Sequence, residues 1–333
     1  MFDGTTVSMP DTPENQADYP QTYNQKRGLG FPIARIGAIT SLSCGAILNL
    51  GFCRYAGKGQ GETTLLRQLW DILQPGDLLL GDRLLANWPG IVMLQQRGID
   101  VVSRLNTAHR KVDFRKGQRL GKGDHIVRWR KPNSIRSVDR QTYHSLPESL
   151  TIREVRIHVH TPGFRSKTII VVTTLLDPRL TPKAELAALY RARWNNELDL
   201  RSIKCTMQMD VLRCKTPELV RKEVWTHILA YNLIRTVMAQ SASRHDIPPR
   251  TLSFKGALQT LEAFAPLIDF QGHRGAAFRQ HLYEELLNAI AVHRVADRPD
   301  RFEPRYKKRR SKRYNELKLP RQAAKAAMLK GLI

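Results

Sequence analysis

Residues 186–205 read LAALYRARWNNELDLRSIKC, and this stretch decides how the rest of the chain is interpreted. Its Ala, Leu, Arg and Glu residues favour a helix, which Thr181 is expected to cap, with Pro182 at the first helical position. At about 100° per residue, four polar side chains fall within a sector of roughly 60°. They are Tyr190, Arg193, Glu197 and Lys204.

The remaining faces of this helix suit ordinary packing. Leu189, Leu200 and Ile203 project from a different face and can pack on a core, while Trp194 lies at the margin of the polar sector. A helix face of mixed charge is most often a solvated surface. The alternative is a site in which a phenol, a guanidinium, a carboxylate and an ammonium act together.

The spacing of the four polar residues resembles the Tyr-Arg-Glu-Lys (YREK) signature of a group of bacterial insertion-sequence transposases, the insertion sequence four family. The resemblance extends to FDGTTVSMPDTPENQ near Met1 and to GDLLLGDR around Asp82, and it covers the chain to about Pro266. Members are DDE enzymes. The resemblance therefore implies an α/β fold, with a ribonuclease H-like mixed sheet flanked by helices and a β-rich insertion between the second Asp and the Glu.

The composition independently favours a polyanionic partner. The chain has 333 residues, with 54 Lys and Arg against 30 acidic residues and a formal net charge of +24. Such an excess is typical of proteins that bind nucleic acid. No apolar run approaches the roughly 18 to 20 residues that span a bilayer, and no secretory signal is visible. From the charge alone we expect nucleic acid as the first candidate partner and an anionic membrane surface as the second. The resemblance to the transposases implies double-stranded DNA as the partner, no membrane, and a place in the bacterial cytoplasm at the nucleoid.

The cysteines give no sign of a zinc site or a disulfide framework. They show no CxxC pairing, so we expect reduced thiols. The four are Cys44, Cys53, Cys205 and Cys214.

Asp3 lies in a segment, Met1–Val7, that is predicted to be a strand. A frayed terminus with a solvated carboxylate is the ordinary interpretation. The resemblance instead implies that Asp3 is the first catalytic carboxylate. In the family, more strand residues and a DNA-binding region precede this position, so we expect either a truncated chain or a start assigned too late.

Asp82 closes a short apolar strand predicted over residues 77–82. Chemistry in α/β sheets collects beyond the carboxyl ends of strands, which favours Asp82 over Asp77 at the strand entry. Capping of the helix predicted over residues 86–97 is the alternative role of Asp82. The resemblance implies that it is the second catalytic carboxylate.

Four regions are predicted along the chain. Residues 1–106 and 167–293 form the two parts of the catalytic core, the second with C-terminal helices, and residues 107–166 form a basic β-rich insertion. Residues 294–333 form a basic tail, expected to be disordered in part, in which 305–313 hold seven cations in nine residues. Trp129 in the insertion is expected either to stack on a base or to lie in the core.

The apolar pattern predicts the remaining elements. Residues 8–30 form an irregular loop, and strands cover 31–42 and 46–55 as a hairpin, followed by 99–105, 151–159 and 168–175. Helices are predicted over 62–73, 218–244, 250–266 and 278–293.

The resemblance implies that Asp3, Asp82 and Glu197 are the catalytic residues and also the metal ligands. Carboxylates are hard oxygen ligands that suit Mg²⁺, with Mn²⁺ as a substitute. Two such ions about 4 Å apart can drive phosphodiester displacement. Further DNA-binding roles are implied for Tyr190, Arg193, Trp194 and Lys204.

The function implied is that of a DNA transposase, which cleaves DNA and transfers strands to move an insertion sequence. A homodimer is expected in the complex that holds both DNA ends. The main alternative is a catalytically inactive, truncated remnant that only binds DNA. A host nuclease on the same fold is a third possibility, and it would cleave without joining strands.

Overall fold

A computed structural model describes residues 1–57, 59–108, 110–135, 138–159, 168–295 and 316–331. The basic run 305–313 lies outside the described residues. The strands are β1 (Phe2–Ser8), β2 (Ile33–Thr40), β3 (Ile47–Arg54), β4 (Leu78–Gly81), β5 (Asp100–Arg104), β6 (Gln118–Gly121), β7 (Asp124–Arg130), β8 (Ser149–His158) and β9 (Thr168–Thr173). The helices are α1 (Pro13–Asp18), α2 (Glu62–Leu69), α3 (Trp88–Gln96), α4 (Arg140–Ser145), α5 (Lys183–Ala192), α6 (Trp194–Arg201), α7 (Pro217–Arg244), α8 (Phe254–Gln271), α9 (Ala276–Val292) and α10 (Arg321–Leu329).

The strands form two hydrogen-bonded sheets. An antiparallel sheet has the order β1-β2-β3, and a six-stranded sheet has the order β4-β5-β9-β8-β7-β6. The larger sheet is mixed, because β4 and β5 are parallel while its other pairs are antiparallel. β1 contacts β4, so the edge of the smaller sheet lies beside the edge of the larger one. The chain is thus an α/β protein with a mixed sheet flanked by helices.

Helices cover both sheets and create the core. α2 packs on β2 and β3, and α3 packs beside β5. The long helix α7 contacts α8 and α9 and supplies buried side chains such as Val220 and Val224 to the core that also contains Ile36 of β2. As a result, the start of β1 with Asp3 and the end of β4 with Asp82 both lie where the two sheets meet.

Most predicted elements are confirmed within a few residues, but three helices were missed, namely α1, α4 and α10. α4 lies in the region predicted as a β-rich insertion, where Asp139 Oδ1 caps it by accepting a hydrogen bond from the Thr142 amide at 2.8 Å. α1 lies inside the segment predicted as an irregular loop. Its signal is local: Thr12 Oγ1 accepts a hydrogen bond from the Asn15 amide at 3.2 Å, and Pro13 opens the first turn. α10 lies in the basic tail, where its Ala-rich sequence favours a helix and Ala324 is buried.

The last core helices also differ from prediction at their ends. α8 was expected over residues 250–266, but it begins at Phe254 and continues through Pro266 to Gln271. Residues Pro249–Thr251 form a separate short 3₁₀ turn. A proline removes one backbone hydrogen bond, yet here the helix continues on both sides of it.

Among the residues that the structure describes, none of the helices combines the length and the apolarity needed to cross a lipid bilayer.

Candidate active site

The stretch predicted as one helix is divided at Arg193. α5 ends at Ala192, α6 begins at Trp194, and a π-helical turn, Ser202–Thr206, follows. The prediction that Thr181 caps this helix is wrong, because α5 begins after Pro182 and has no side-chain cap. The Thr181 carbonyl instead accepts a hydrogen bond from Arg153 Nη1 at 2.7 Å.

Packing explains the division, because each half of the stretch is held by a different sheet. Leu186 of α5 is buried in a cluster with Val102 and Val155 of the larger sheet. Leu200 of α6 and Ile203 of the π turn belong to the core that contains β1 and β2 side chains. The junction at Arg193 therefore lies where the two sheets meet.

Asp199 anchors α6 from its buried side. Its carboxylate accepts hydrogen bonds from Arg235 Nη2 at 2.6 Å and from Arg250 Nη1 at 2.7 Å. Arg250 also donates to the carbonyl oxygens of Ser41 and Leu42. These contacts tie α6 to α7, to the 3₁₀ turn and to the loop after β2, and they leave Glu197 directed away from the core.

A single cleft of about 460 Å³ collects most of the predicted site residues. Both sheets and α6 contribute to its wall. The lining residues are Asp3, Gly4, Thr5, Asp82, Arg193, Glu197, Leu200, Arg201, Lys204 and Cys205.

The three acids reach this cleft from separate elements. Asp3 lies on β1, and Asp82 follows the last residue of β4, where its Oδ1 accepts a hydrogen bond from the Leu84 amide at 2.8 Å. The alternative that Asp82 caps the next helix is wrong, because Asn87 caps α3. Glu197 lies in the first turn of α6.

Arg193 lies between two of the three acids. Its Nη2 donates to Glu197 Oε1 at 2.8 Å, and its Nη1 is 3.6 Å from Asp3 Oδ2. Burial lowers the pKa of Arg193, but the hydrogen bond that Arg193 donates to Glu197 and the surrounding negative charge outweigh it and raise the pKa. The guanidinium therefore stays charged and balances the two carboxylates.

The carboxyl group of Asp3 has a perturbed pKa. Burial raises its pKa to about 6, and the negative charges of Asp82 and Glu197 add to the rise. The hydrogen bond from the Gly4 amide and the charge of Arg193 oppose it. A carboxylate that is costly to ionise in the folded protein lowers stability at neutral pH.

We therefore expect Asp3→Asn to stabilise the fold above pH 6 in metal-free buffer. The pKa of the Asp3 carboxyl is 3.8 when the group is exposed and about 6 in the folded protein. The stability that protonated Asp3 contributes to the fold is therefore fully present below pH 4 and is lost as the pH rises through 6. The difference in unfolding free energy between variant and wild type should grow by about 2 to 3 kcal/mol from pH 4 to pH 7. Urea denaturation at both pH values measures it.

The exposed Asp269→Asn is the control, and its effect should stay within about 0.5 kcal/mol at both pH values. If the difference in unfolding free energy between Asp3→Asn and wild type is the same at pH 4 and pH 7, the pKa of Asp3 is not raised in the folded protein.

Cationic side chains line the same cleft. Lys204 Nζ donates to Thr5 Oγ1 at 3.1 Å, and Arg201 is exposed. Sequence reasoning missed Thr5, Arg201 and Cys205. A signal existed for the first two: Thr5 lies two residues from Asp3 on a strand, and Arg201 lies one helical turn after Glu197.

Tyr190 and Trp194 are not in the acidic cleft. They line an adjoining cavity of about 730 Å³ whose wall includes Ile157, Ile169 and Arg193. Burial raises the pKa of Tyr190 and keeps its hydroxyl neutral, whereas the Trp194 side chain is 48% exposed. Arg193 lines both spaces and so connects the aromatic pair to the acids.

The structure decides the role of Trp129. Its side chain is 2% exposed, its Nε1 donates to Glu154 Oε1 at 2.7 Å, and the Arg110 guanidinium lies 4.1 Å from its ring centre. Trp129 is therefore a core residue, and the alternative that it stacks on a base is wrong.

The spacing of the acids is a further property of the site. Within the described ranges, no three or more His, Cys, Asp or Glu side chains stand close enough together to hold a metal ion. Asp3 and Glu197 are instead bridged by the Arg193 guanidinium. The three acids share a cleft without forming a closed ligand set.

Comparison with known proteins defines the class. Residues 1–233 match the sequence model of the transposase DDE domain, and the chain belongs to this family.

A curated relative is the transposase InsG of the insertion sequence element IS4 from Escherichia coli K12. It is 29% identical over 288 residues, which is 80% of this chain and 59% of that protein. The transposase of the Escherichia coli element IS421 is 31% identical over 83 residues, or 25% of this chain and 21% of that protein. The chain thus spans about three fifths of the length of the first relative and a smaller share of the second.

A solved structure, the piggyBac transposase synaptic complex with hairpin DNA, aligns with a TM-score of 0.44 and 9% identity. The alignment covers 87% of this chain and 56% of that chain.

Proposed function

We propose that this chain is the catalytic part of a DNA transposase, which cleaves a DNA strand and joins a 3′-hydroxyl end to another DNA by phosphodiester displacement. The observation that carries the proposal is the meeting of Asp3, Asp82 and Glu197 in one cleft with Arg193, Arg201 and Lys204. Acids and cations that line one cleft suit a reaction at a phosphate group. Family membership favours the same chemistry.

A ribonuclease H-like core is part of the proposal. Its support is the arrangement of β3-β2-β1 beside β4 and β5, with acids on the first strand, after the fourth strand and on a later helix. We propose residues 1–106 and 167–293 as the two parts of this core. Residues 107–166, which contribute β6, β7 and β8 to the larger sheet, are proposed as the insertion.

Asp3, Asp82 and Glu197 are the residues proposed to hold a divalent cation, Mg²⁺ or Mn²⁺. All three offer hard oxygen donors, and the raised pKa of Asp3 arises partly from the charges of the other two, which a cation would balance. When bound, the metal would supply the Lewis-acid chemistry of phosphodiester displacement. Arg193 performs part of this charge balance in the structure.

The cationic side chains have proposed roles on DNA. Arg193 can bind a phosphate through two parallel N–H groups, and Lys204 offers a point charge on the same wall. Tyr190, with a neutral hydroxyl, can donate a hydrogen bond to a phosphate oxygen. The half-exposed Trp194 offers an aromatic face beside it.

Double-stranded DNA, as transposon end and target, is the proposed partner. A formal charge of +24 favours a polyanion. Two DNA ends held together require two copies of the enzyme, so we propose a homodimer in that complex. The bacterial nucleoid is the proposed place of action, in keeping with the bacterial relatives.

The test measures cleavage and joining separately. Purified chain with supercoiled plasmid and Mn²⁺ or Mg²⁺ should produce nicks, and a labelled oligonucleotide with a pre-cut 3′-hydroxyl should become joined to the plasmid. Chelation of the metal with EDTA should stop both reactions.

Two other results of this test would each favour one of the alternative functions. Salt-sensitive DNA binding without metal-dependent cleavage would show a binding remnant and overturn the enzymatic proposal. Nicking without joining of the oligonucleotide would favour a nuclease.

A further inference from the structure

The buried face of α6 is largely polar. Of the eight residues of this helix, those that are buried are Asn196, Asp199 and Leu200, and two of these carry polar side chains. An apolar face holds a helix against a core without closely fixing its rotation, because the hydrophobic effect is non-directional. Hydrogen bonds have preferred distances and angles, so a polar face fixes the rotation of a helix about its own axis.

Thr40 contacts this face from β2. Its Oγ1 donates a hydrogen bond to Asn196 Oδ1 at 2.7 Å, and the two residues are 1% and 0% exposed. The amide Nδ2 of Asn196 is also buried, and it has no hydrogen-bond partner in the part of the chain that the structure describes. A buried donor without a partner costs stability. Stability alone therefore does not account for an Asn at this position.

Thr40 also holds the strand that carries Asp3. Its backbone N–H donates to the Met1 carbonyl at 2.8 Å, and its carbonyl accepts a hydrogen bond from the Met1 nitrogen at 2.6 Å. Asp3 follows two residues later on β1 and lies opposite Ala38 of β2. Through its backbone and its side chain, Thr40 thus links the strand of one acid to the helix of another.

The two residues that follow Thr40 hold the same helix further along. Asp199 accepts a hydrogen bond from Arg250 Nη1 at 2.7 Å, and Arg250 also donates to the carbonyl oxygens of residues 41 and 42. Residues 40–42 therefore hold α6 at two positions, directly at Asn196 and through Arg250 at Asp199.

We infer that Thr40 is a positioning residue for Glu197. At about 100° per residue, Glu197 points about 100° away from Asn196 and about 160° away from Asp199. With α6 held at these two positions, its rotation is fixed and Glu197 faces the cleft. The inference rests on the proposed function, because it takes Glu197 as a residue of the reacting centre.

Thr40→Val tests the inference, because valine keeps the shape of the side chain and removes the hydroxyl. Single-turnover nicking at saturating Mn²⁺ should slow at least about 20-fold, since a misplacement of about 1 Å costs on the order of 100-fold in rate. The dissociation constant for a duplex of about 20 bp in EDTA should stay within about threefold, because the cations of the cleft are unchanged. Thr40→Ser keeps the donor and should nick within about threefold of the wild-type rate.

Thr260→Val is the matched control. Thr260 is buried on α8, its Oγ1 donates to the Gly256 carbonyl at 2.9 Å, and it does not line the cleft. This variant also loses one buried hydroxyl, and its nicking rate should stay within about twofold of wild type. Equal losses of rate in Thr40→Val and Thr260→Val would overturn the inference.

A double variant separates position from stability. Thr40→Val combined with Asn196→Leu leaves no polar side-chain atom of the pair unpaired, so the urea midpoint should equal or exceed that of wild type. Nicking should remain at least about 20-fold slow, because the new apolar contact does not fix the rotation of α6. This variant also carries the test if Thr40→Val alone does not fold.

Hydrogen exchange at the backbone amides of α6 gives a readout without DNA or metal. Exchange should be faster in Thr40→Val and in the double variant than in wild type and Thr260→Val, because α6 is held less firmly. Unchanged exchange in α6, or nicking by the double variant within about fivefold of wild type, would overturn the inference.

Failure of the proposed function gives a different result. A wild-type chain that does not nick DNA would overturn the proposed function, and the assignment of Thr40 with it. Nicking by wild type together with an undiminished rate in Thr40→Val would overturn the positioning role alone.

Discussion

Glu197→Gln should lower metal-dependent nicking at least about 1000-fold, a loss of about 4 kcal/mol in transition-state stabilisation. The carboxylate of Glu197 borders the cleft shared with Asp3 and Asp82, and it forms an ion pair with Arg193 at 2.8 Å. The amide keeps the size of the side chain but removes the charge and one of the oxygens proposed to bind the metal. Single-turnover nicking of supercoiled plasmid in Mn²⁺ gives the rate.

Glu185→Gln is the matched control, because Glu185 is an exposed acid on the neighbouring helix α5 and does not line the cleft. Its nicking rate should stay within about twofold of wild type. Asp82→Asn should match Glu197→Gln, and the double variant should lose little more, since residues that act as a unit are not additive. A folded Glu197→Gln protein that keeps a tenth of the wild-type rate would show that the third acid lies elsewhere.

Asp199→Ala should destabilise the protein by about 3 to 5 kcal/mol, because it leaves two guanidinium groups without their buried counter-charge. Asp199 is fully buried and accepts hydrogen bonds from both Arg235 and Arg250. Asp199→Asn keeps the shape of the side chain and still loses the charge, so we expect a loss of similar sign. Urea denaturation at pH 7 gives the free energy of unfolding.

The exposed Asp210→Asn serves as its control and should change stability by less than about 0.5 kcal/mol. If Asp199→Ala unfolds at the same urea concentration as wild type, the ion pairs of Asp199 contribute no net stability. Its role would then be limited to the position of α6.

Local sequence patterns predicted most of the secondary structure correctly. The hairpin of β2 and β3, the short strand β4 and the long helix α7 were all predicted, because apolar periodicity and turn residues act within a few positions. α1 was missed although Thr12 and Pro13 give a local signal for it. Its buried Asn15 donates to the Cys214 carbonyl far along the chain, a contact that no local pattern predicts.

Local spacing likewise predicted the roles of some side chains in the site and not those of others. The spacing of Arg193, Glu197 and Lys204 on a helix identified one wall of the cleft from the sequence. Nothing in that spacing distinguishes Asp199, two residues from Glu197, as a buried structural acid. Its two arginine partners lie 36 and 51 residues away, and the core brings them together.

The amino-acid sequence by itself determined the charge, most of the strands and helices, and the helical face that carries Arg193, Glu197 and Lys204, because these follow from residue chemistry and local geometry. The tertiary structure alone decided that the signature stretch divides at Arg193 and that Asp3 and Asp82 share a cleft with Glu197. The reason is physical: α5 and α6 are held by two different sheets, and the relative position of those sheets depends on contacts between residues distant in the chain.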